Sequence, residues 1–148
     1  MNSNKKKLLK KVSSKIKPKK ELMKKLFKAP AKNIKFSDEK ISLDFFGNRI
    51  SYKIELKKED HVAEWSRRHK KIFIDKKFSK KDLNKSFKAL CVHEAVEKFL
   101  AEKMHLTVDK EAHLIATKKE KDFLIKLKGN WRSHELIVYW DWYNQGEH

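Results

Sequence analysis

The chain has 148 residues, enough for one domain with one modest hydrophobic core. It contains a single cysteine, Cys91, which excludes an intramolecular disulfide and favours a reducing compartment such as the cytoplasm. The sequence has no apolar run near the length of about 20 residues that a membrane-spanning helix needs. Its net charge is +18, so an anionic partner is expected.

The positive charge is concentrated at the N-terminus. Residues 1–35 hold 14 lysines and one glutamate, a net charge of +13, which leaves +5 for the rest of the chain. This asymmetry predicts a basic helical arm, residues 1–33, attached to a more ordinary domain, residues 34–148. The apolar stripes of the arm recur at helical spacing, so one alternative is that they pack on the domain beneath a solvated lysine face. The other is that the arm binds nucleic acid or an anionic surface through Lys5, Lys6, Lys7, Lys10, Lys11, Lys19 and Lys20.

Residues 41–56 carry the clearest strand pattern. Apolar and polar residues alternate on both sides of the Gly47–Asn48 pair, which predicts a β-hairpin with a tight primed turn. Residues 71–75 predict a further short strand, and residues 59–69 predict a loop or a short helix.

Two helices follow. Ser79 and Asp82 have the spacing of a capping box, which predicts a helix from there to about residue 104. Residues 105–107 predict a break, and a second helix is expected from 108 to about 127, closed by Gly129.

Chemically active side chains concentrate on these two helices. His93 and Glu97 are four residues apart and therefore share one helix face, and Glu94 lies beside that face. His113 and Glu120 are seven apart and share a face of the second helix. Because the break reverses the chain, these groups are predicted to converge in the seam between the helices.

Such a convergence predicts a metal site. His93, Glu97 and His113 supply the two imidazoles and one carboxylate of many catalytic zinc sites, in which the pKa of a bound water falls to about 7. Glu94 could take the proton of that water and hand it to a leaving amine. Glu120 has two alternative roles. It orients a ligand histidine and leaves the fourth coordination position open, or it fills that position and makes the site structural.

The order of these elements resembles the core of a small zincin. The strand Ile72–Asp75 is followed by a helix with the motif Cys91–Glu97 and then by a second helix with a further ligand. This is similar to minigluzincin-type and HExxE-bearing metallopeptidase-like proteins over roughly residues 40–127. The sequence departs from the zincin motif proper at Glu97, where that motif has histidine.

The resemblance implies an α+β fold in which a short antiparallel sheet packs on an active-site helix and on a second, ligand-bearing helix. It implies that His93, Glu97 and His113 hold one zinc ion and that Glu94 is the general base. The function expected is a zinc-dependent peptidase-like protein, in which a metal-bound water activated by Glu94 hydrolyses a peptide bond.

Other interpretations stay open. One is a catalytically inactive zincin-like scaffold whose basic arm binds nucleic acid or a protein partner. Another is a solvated helix face on which Glu94 pairs with Lys98 and no metal binds. The His134–Glu135 pair repeats the first two residues of the motif, but valine follows at 138, so no role is assigned to it. The aromatic tail, residues 131–148, either joins the core or covers the cleft.

Overall fold

The structure, a computed structural model, describes residues 19–58, 63–65 and 70–146, with side chains described outside 63–65 and 139–146. The described part is an α+β domain with a five-stranded sheet and four helices. The strands are β1 (Ala31–Ser37), β2 (Lys40–Phe45), β3 (Asn48–Lys57), β4 (Ala63–Trp65) and β5 (Lys71–Asp75). The helices are α1 (described over 19–28), α2 (Asn84–Lys103), α3 (His113–Lys126) and α4 (Trp131–Gly146).

The sheet is mixed, with strand order β1-β2-β3-β5-β4. β1, β2 and β3 form an antiparallel meander, whereas β3 and β5 run parallel, with Ile54 opposite Ile72. The sequence predicted an antiparallel sheet, and this prediction is wrong for the pair β3 and β5. The reason is β4, which the sequence did not predict. It runs antiparallel to β5 at the edge of the sheet, so the chain reverses once more before β5 inserts between β3 and β4.

The predicted β2–β3 hairpin is confirmed. Phe45 lies opposite Asn48, so the turn consists of Phe46 and Gly47, one residue earlier than the predicted pair. Both turn residues have positive φ, 50° and 77°, as a primed two-residue turn requires. The alternating apolar residues of the hairpin enter the core, namely Ile41, Leu43, Phe45, Ile50, Tyr52 and Ile54.

The start of α2 differs from the prediction. Two 3₁₀ turns over residues 76–83 precede the helix, which begins at Asn84 without a side-chain cap. The predicted capping box at Ser79 is therefore wrong, and Ser79 Oγ instead donates to the carbonyl of Lys76, at the start of the same 3₁₀ turn, at 2.7 Å. The cap belongs to Asp75, whose Oδ1 accepts from Lys77 N at 3.0 Å. The chain consequently turns directly at the end of β5.

α2 lies at the centre of the domain. Every residue from 89 to 101 is buried, because the helix packs against β2, β3, β4 and β5 on one side and against α3 on the other. The stretch includes both apolar residues of the main core and charged residues of the predicted site. An ionic group at these positions is removed from water and requires a partner within the protein.

α3 returns along α2, as predicted. The reversal uses His105 in the left-handed region, with φ 55°, and a single π-helical turn over Val108–Ala112 leads into α3. Ala112 and Ala116 are fully buried, and such small side chains let two helices approach closely. Among the described helices, none is long and apolar enough to cross a membrane.

α1 packs on the domain through its apolar side. Leu26 is fully buried in the main core, and Leu22 and Met23 pack against that core. The boundary expected between residues 33 and 34 lies inside β1, so residues 19–33 share the core of the domain. Residues 1–18 of the expected arm lie outside the described residues.

Polar contacts also fasten α1 to the helical turn before α3 and to α3 itself. Lys119 is buried, and its Nζ donates to the carbonyl of Phe27 at 2.7 Å, near the C-terminal end of α1. Lys19 Nζ lies 2.9 Å from Glu111 Oε2. The chain ahead of the sheet is thus attached to the helix that carries His113.

Replacing Leu26 with alanine should destabilise the domain by about 2–5 kcal/mol, because the substitution leaves a cavity in the core. The free energy of unfolding in urea measures this. Leu136→Ala is the matched control, since Leu136 is 60% exposed and its loss should cost under about 1 kcal/mol. Equal effects of the two substitutions would contradict the integration of α1 into the core.

Candidate metal centre

The packing of α3 on α2 brings together three of the predicted ligands. His93 Nε2 lies 3.0 Å from Glu97 Oε2, and His113 Nδ1 lies 3.1 Å from the same oxygen. The rings of His93 and His113 meet edge to face, with centroids 4.8 Å apart. Each of the three side chains thus offers one ligand atom within 4.8 Å of the other two.

The donor set and spacing fit a divalent cation. Two imidazole nitrogens and one carboxylate oxygen are ligands that zinc prefers, and tetrahedral bonds of about 2.0–2.1 Å place ligand atoms about 3.4 Å apart. The two distances to Glu97 Oε2 are close to that separation. The cluster is thus a group that could hold one ion, with two of its three ligand separations near those of a zinc site.

One side of the cluster is open to solvent. The side chain of His113 is 58% exposed, whereas those of His93 and Glu97 are 7% and 10% exposed. His93 and Glu97 on α2 therefore form the buried side of the cluster, and solvent reaches it beside His113. This arrangement favours an accessible site over an enclosed structural one.

Glu120 lies on the far side of His93. Its Oε1 is 2.8 Å from His93 Nδ1, the ring nitrogen that faces away from Glu97, although the angle is poor for a directed hydrogen bond. A carboxylate there favours a proton on Nδ1 and leaves the Nε2 lone pair toward the cluster. Of the two roles open from the sequence, this position supports the orienting one.

The ionisable groups of the cluster shift one another's pKa values. Burial alone lowers the pKa of His93, but the Glu120 and Glu97 carboxylates outweigh burial and hold that pKa well above its ordinary value of 6.5. Burial alone raises the pKa of Glu120, but contacts with His134 and His93 outweigh it and lower that pKa to about 2. In the absence of a metal, a proton on His93 therefore compensates the buried carboxylates.

His134 is the residue of this cluster that the sequence did not assign. It lies on α4, is buried, and its Nε2 makes a short contact with Glu120 Oε2. Its Nδ1 lies 2.9 Å from Ser86 Oγ on α2. His93 and Glu97 lie one turn apart on a single helix, so their spacing in the sequence reveals them. His134 and Glu120 lie on different helices, and no such spacing relates them.

Glu94 and Cys91 flank the cluster on α2. Glu94 is buried, and its negative charge contributes to the raised pKa of His93. Cys91 is fully buried, and burial, with the Glu94 carboxylate, raises the pKa of its thiol well above the ordinary value. Cys91 is therefore a small core residue and is unsuited to act as a nucleophile.

The lysines expected to contact nucleic acid lie mostly outside the described residues. Lys19 and Lys20 are described and are exposed on α1, and Lys19 is paired with Glu111. Lys5, Lys6, Lys7, Lys10 and Lys11 are not among the described residues. The aromatic side chains expected to cover the cleft, Tyr139, Trp140, Trp142 and Tyr143, are likewise outside them.

Comparison with known proteins does not assign a family. No protein-family model, no curated protein and no solved structure matches this chain.

The raised pKa of His93 predicts a pH-dependent stability of the metal-free protein. The stabilisation is complete below pH 6.5 and is lost as the pH rises through the raised pKa, by about 1.4 kcal/mol per pH unit. Urea unfolding with a chelator present should therefore show the advantage of wild type over His93→Gln shrinking above pH 6.5. Replacing the exposed His105 with asparagine is the control and should leave the profile unchanged. A difference between wild type and His93→Gln that is constant with pH would contradict the assignment.

Proposed function

We propose that this protein is a metal-dependent, peptidase-like hydrolase in which His93, Glu97 and His113 hold one zinc ion. The observation that carries the proposal is the convergence of two histidine nitrogens and one carboxylate oxygen within 4.8 Å. The openness of the cluster beside His113 and the position of Glu120 behind His93 support a catalytic site in preference to a structural one.

The charges of the site suit hydrolysis. A zinc ion with two neutral histidines and one carboxylate keeps a net positive charge, and it would supply Lewis acidity that polarises a carbonyl and lowers the pKa of water to about 7. In the metal-free site, a proton on His93 supplies the positive charge that the ion would bring. Metal binding would release this proton, so acidic pH should weaken the binding.

Glu94 is proposed as the general base. It follows the ligand His93 in the chain and is buried on the same helix, which supports this role. Its carboxylate would accept a proton from water as the water oxygen bonds to the peptide carbonyl carbon. The same proton would pass to the amine nitrogen as the carbon–nitrogen bond breaks.

The surrounding fold supports the zincin comparison made from the sequence. The strand β5 precedes the helix with the motif, and α3 supplies the third group. β4 pairs with β5 at the edge of the sheet and also packs against α2. This resemblance implies a peptide substrate. The second candidate function is an inactive scaffold with a basic arm that binds nucleic acid or a protein.

Zinc should bind the wild-type protein at one ion per chain and stabilise it. At a free concentration about 100 times the Kd, the gain is about 2.7 kcal/mol, equivalent to a rise in Tm of about 5–10 °C. Alanine at His93, Glu97 or His113 should abolish the rise, and the exposed control His105→Asn should retain it. Calorimetry measures the rise in Tm, and elemental analysis measures the number of ions bound per chain. A wild-type protein that binds no zinc, cobalt or manganese would contradict the proposal.

Replacing Glu94 with glutamine should leave the metal bound and lower peptide hydrolysis by about 10²–10⁴-fold, because the amide cannot accept the proton. Cleavage of a fluorogenic peptide library by the zinc-loaded protein measures this. Glu135→Gln is the matched control, since Glu135 follows the other histidine of a His–Glu pair and is exposed. Metal binding with no hydrolysis in wild type would favour the scaffold.

A further inference from the structure

His134 connects α4 to the candidate metal centre through a buried polar chain. Its side chain is 2% exposed, and the ring of Trp131 lies over it with centroids 5.3 Å apart. A buried imidazole loses the hydrogen bonds of water, so both of its nitrogens require partners. Ser86 supplies one partner and Glu120 supplies the other.

The direction of the hydrogen bond to Glu120 follows from the chemistry of the groups. Glu120 lies between two histidine rings, and an ionised carboxylate only accepts, so His134 Nε2 donates to Glu120 Oε2. The other ring nitrogen, Nδ1, lies 2.9 Å from Ser86 Oγ, a hydroxyl that can either donate to it or accept from it. Both ring nitrogens of His134 therefore have a hydrogen-bond partner within the protein.

Glu120 transmits this constraint toward the metal site. Its Oε2 contacts His134 on α4, and its Oε1 lies 2.8 Å from His93 Nδ1 on α2. The contact with His134 therefore limits rotation of the carboxylate, and the carboxylate in turn favours one orientation of the His93 ring. The opposite nitrogen of that ring faces Glu97.

We propose that His134 is a positioning residue of the metal site. It holds Glu120 in the orientation that presents His93 Nε2 to the ion, and Ser86 fixes His134. This inference rests on the proposed metal-binding function and adds α4 to the elements that build the site. Groups that orient a ligand histidine typically change metal affinity by about 10–100-fold when they are lost.

Asparagine and glutamine at position 134 separate positioning from packing. Both are neutral and polar, but only the longer glutamine can place its amide N–H where Nε2 lies and donate to Glu120. Asparagine can reach only the position of Nδ1, near Ser86. His105→Asn controls for loss of an imidazole, because His105 is exposed and asparagine tolerates its left-handed backbone.

The experiment measures the affinity of the full chain for zinc by competition with a chromophoric chelator, and the visible absorption of bound cobalt. His134→Asn should weaken zinc binding by about 10–100-fold and change the cobalt bands, whereas His134→Gln should recover most of the affinity and the wild-type spectrum. Thermal melting of the metal-free variants verifies that the two substitutions cost similar stability.

Two results would overturn the inference. If zinc affinity and cobalt spectrum are those of wild type in both variants, while His93→Ala loses the metal, His134 has no positioning role and the proposed metal site stands. If wild type itself binds no divalent ion, both proposals fail. Should His134→Asn not fold, Ser86→Ala replaces it. That variant removes only the hydroxyl partner of Nδ1, and it should weaken zinc binding several-fold, so unchanged affinity would contradict the inference.

Discussion

The close packing of α3 on α2 is the constraint on which the site depends. His93 and Glu97 are one helical turn apart, so they share a face wherever α2 lies, but His113 meets them only because the chain reverses at once after α2. The left-handed residue His105 makes that reversal short. The alanines facing the seam let the two helices approach until an imidazole and a carboxylate are within hydrogen-bonding distance.

Buried charge is the second constraint, and it acts together with the first. Carboxylates and imidazoles removed from water are costly unless they neutralise one another or a cation neutralises them. In the cluster, histidines and carboxylates alternate from His134 through Glu120, His93 and Glu97 to His113. This alternation stabilises the site without a metal and still leaves one end of it exposed.

Local patterns in the sequence predicted much of the fold. The period of two around Gly47 gave the hairpin, and helical spacing gave α2 and α3 together with the meeting of His93, Glu97 and His113. Both depend on residues close in the chain, where backbone geometry fixes which side chains share a face. The role of Glu120 was left open between orienting a ligand histidine and filling the fourth coordination position, and only the structure places its carboxylate beside His93 Nδ1.

What the sequence did not predict concerns contacts between segments far apart in the chain, or the choice between two possible capping residues before a helix. The sequence left open whether the apolar stripe of the lysine-rich segment packs on the domain, and the burial of Leu26 in the core shows that this part of it does. Ser79 has the sequence of a cap, but Asp75 turns the chain earlier. His134 reaches Glu120 only after α4 folds back, and no spacing along the chain encodes that meeting.

The all-round burial of α2 determines how the site can come apart. A helix with one face in water can fray or detach while the rest of a domain persists, but residues 89–101 contact the sheet and α3 together. Exposing them requires disruption of the whole core, so amide hydrogens in this stretch would exchange only through global unfolding. The backbone positions of His93 and Glu97 therefore last as long as the folded protein itself, whereas His113 lies at the exposed end of the cluster.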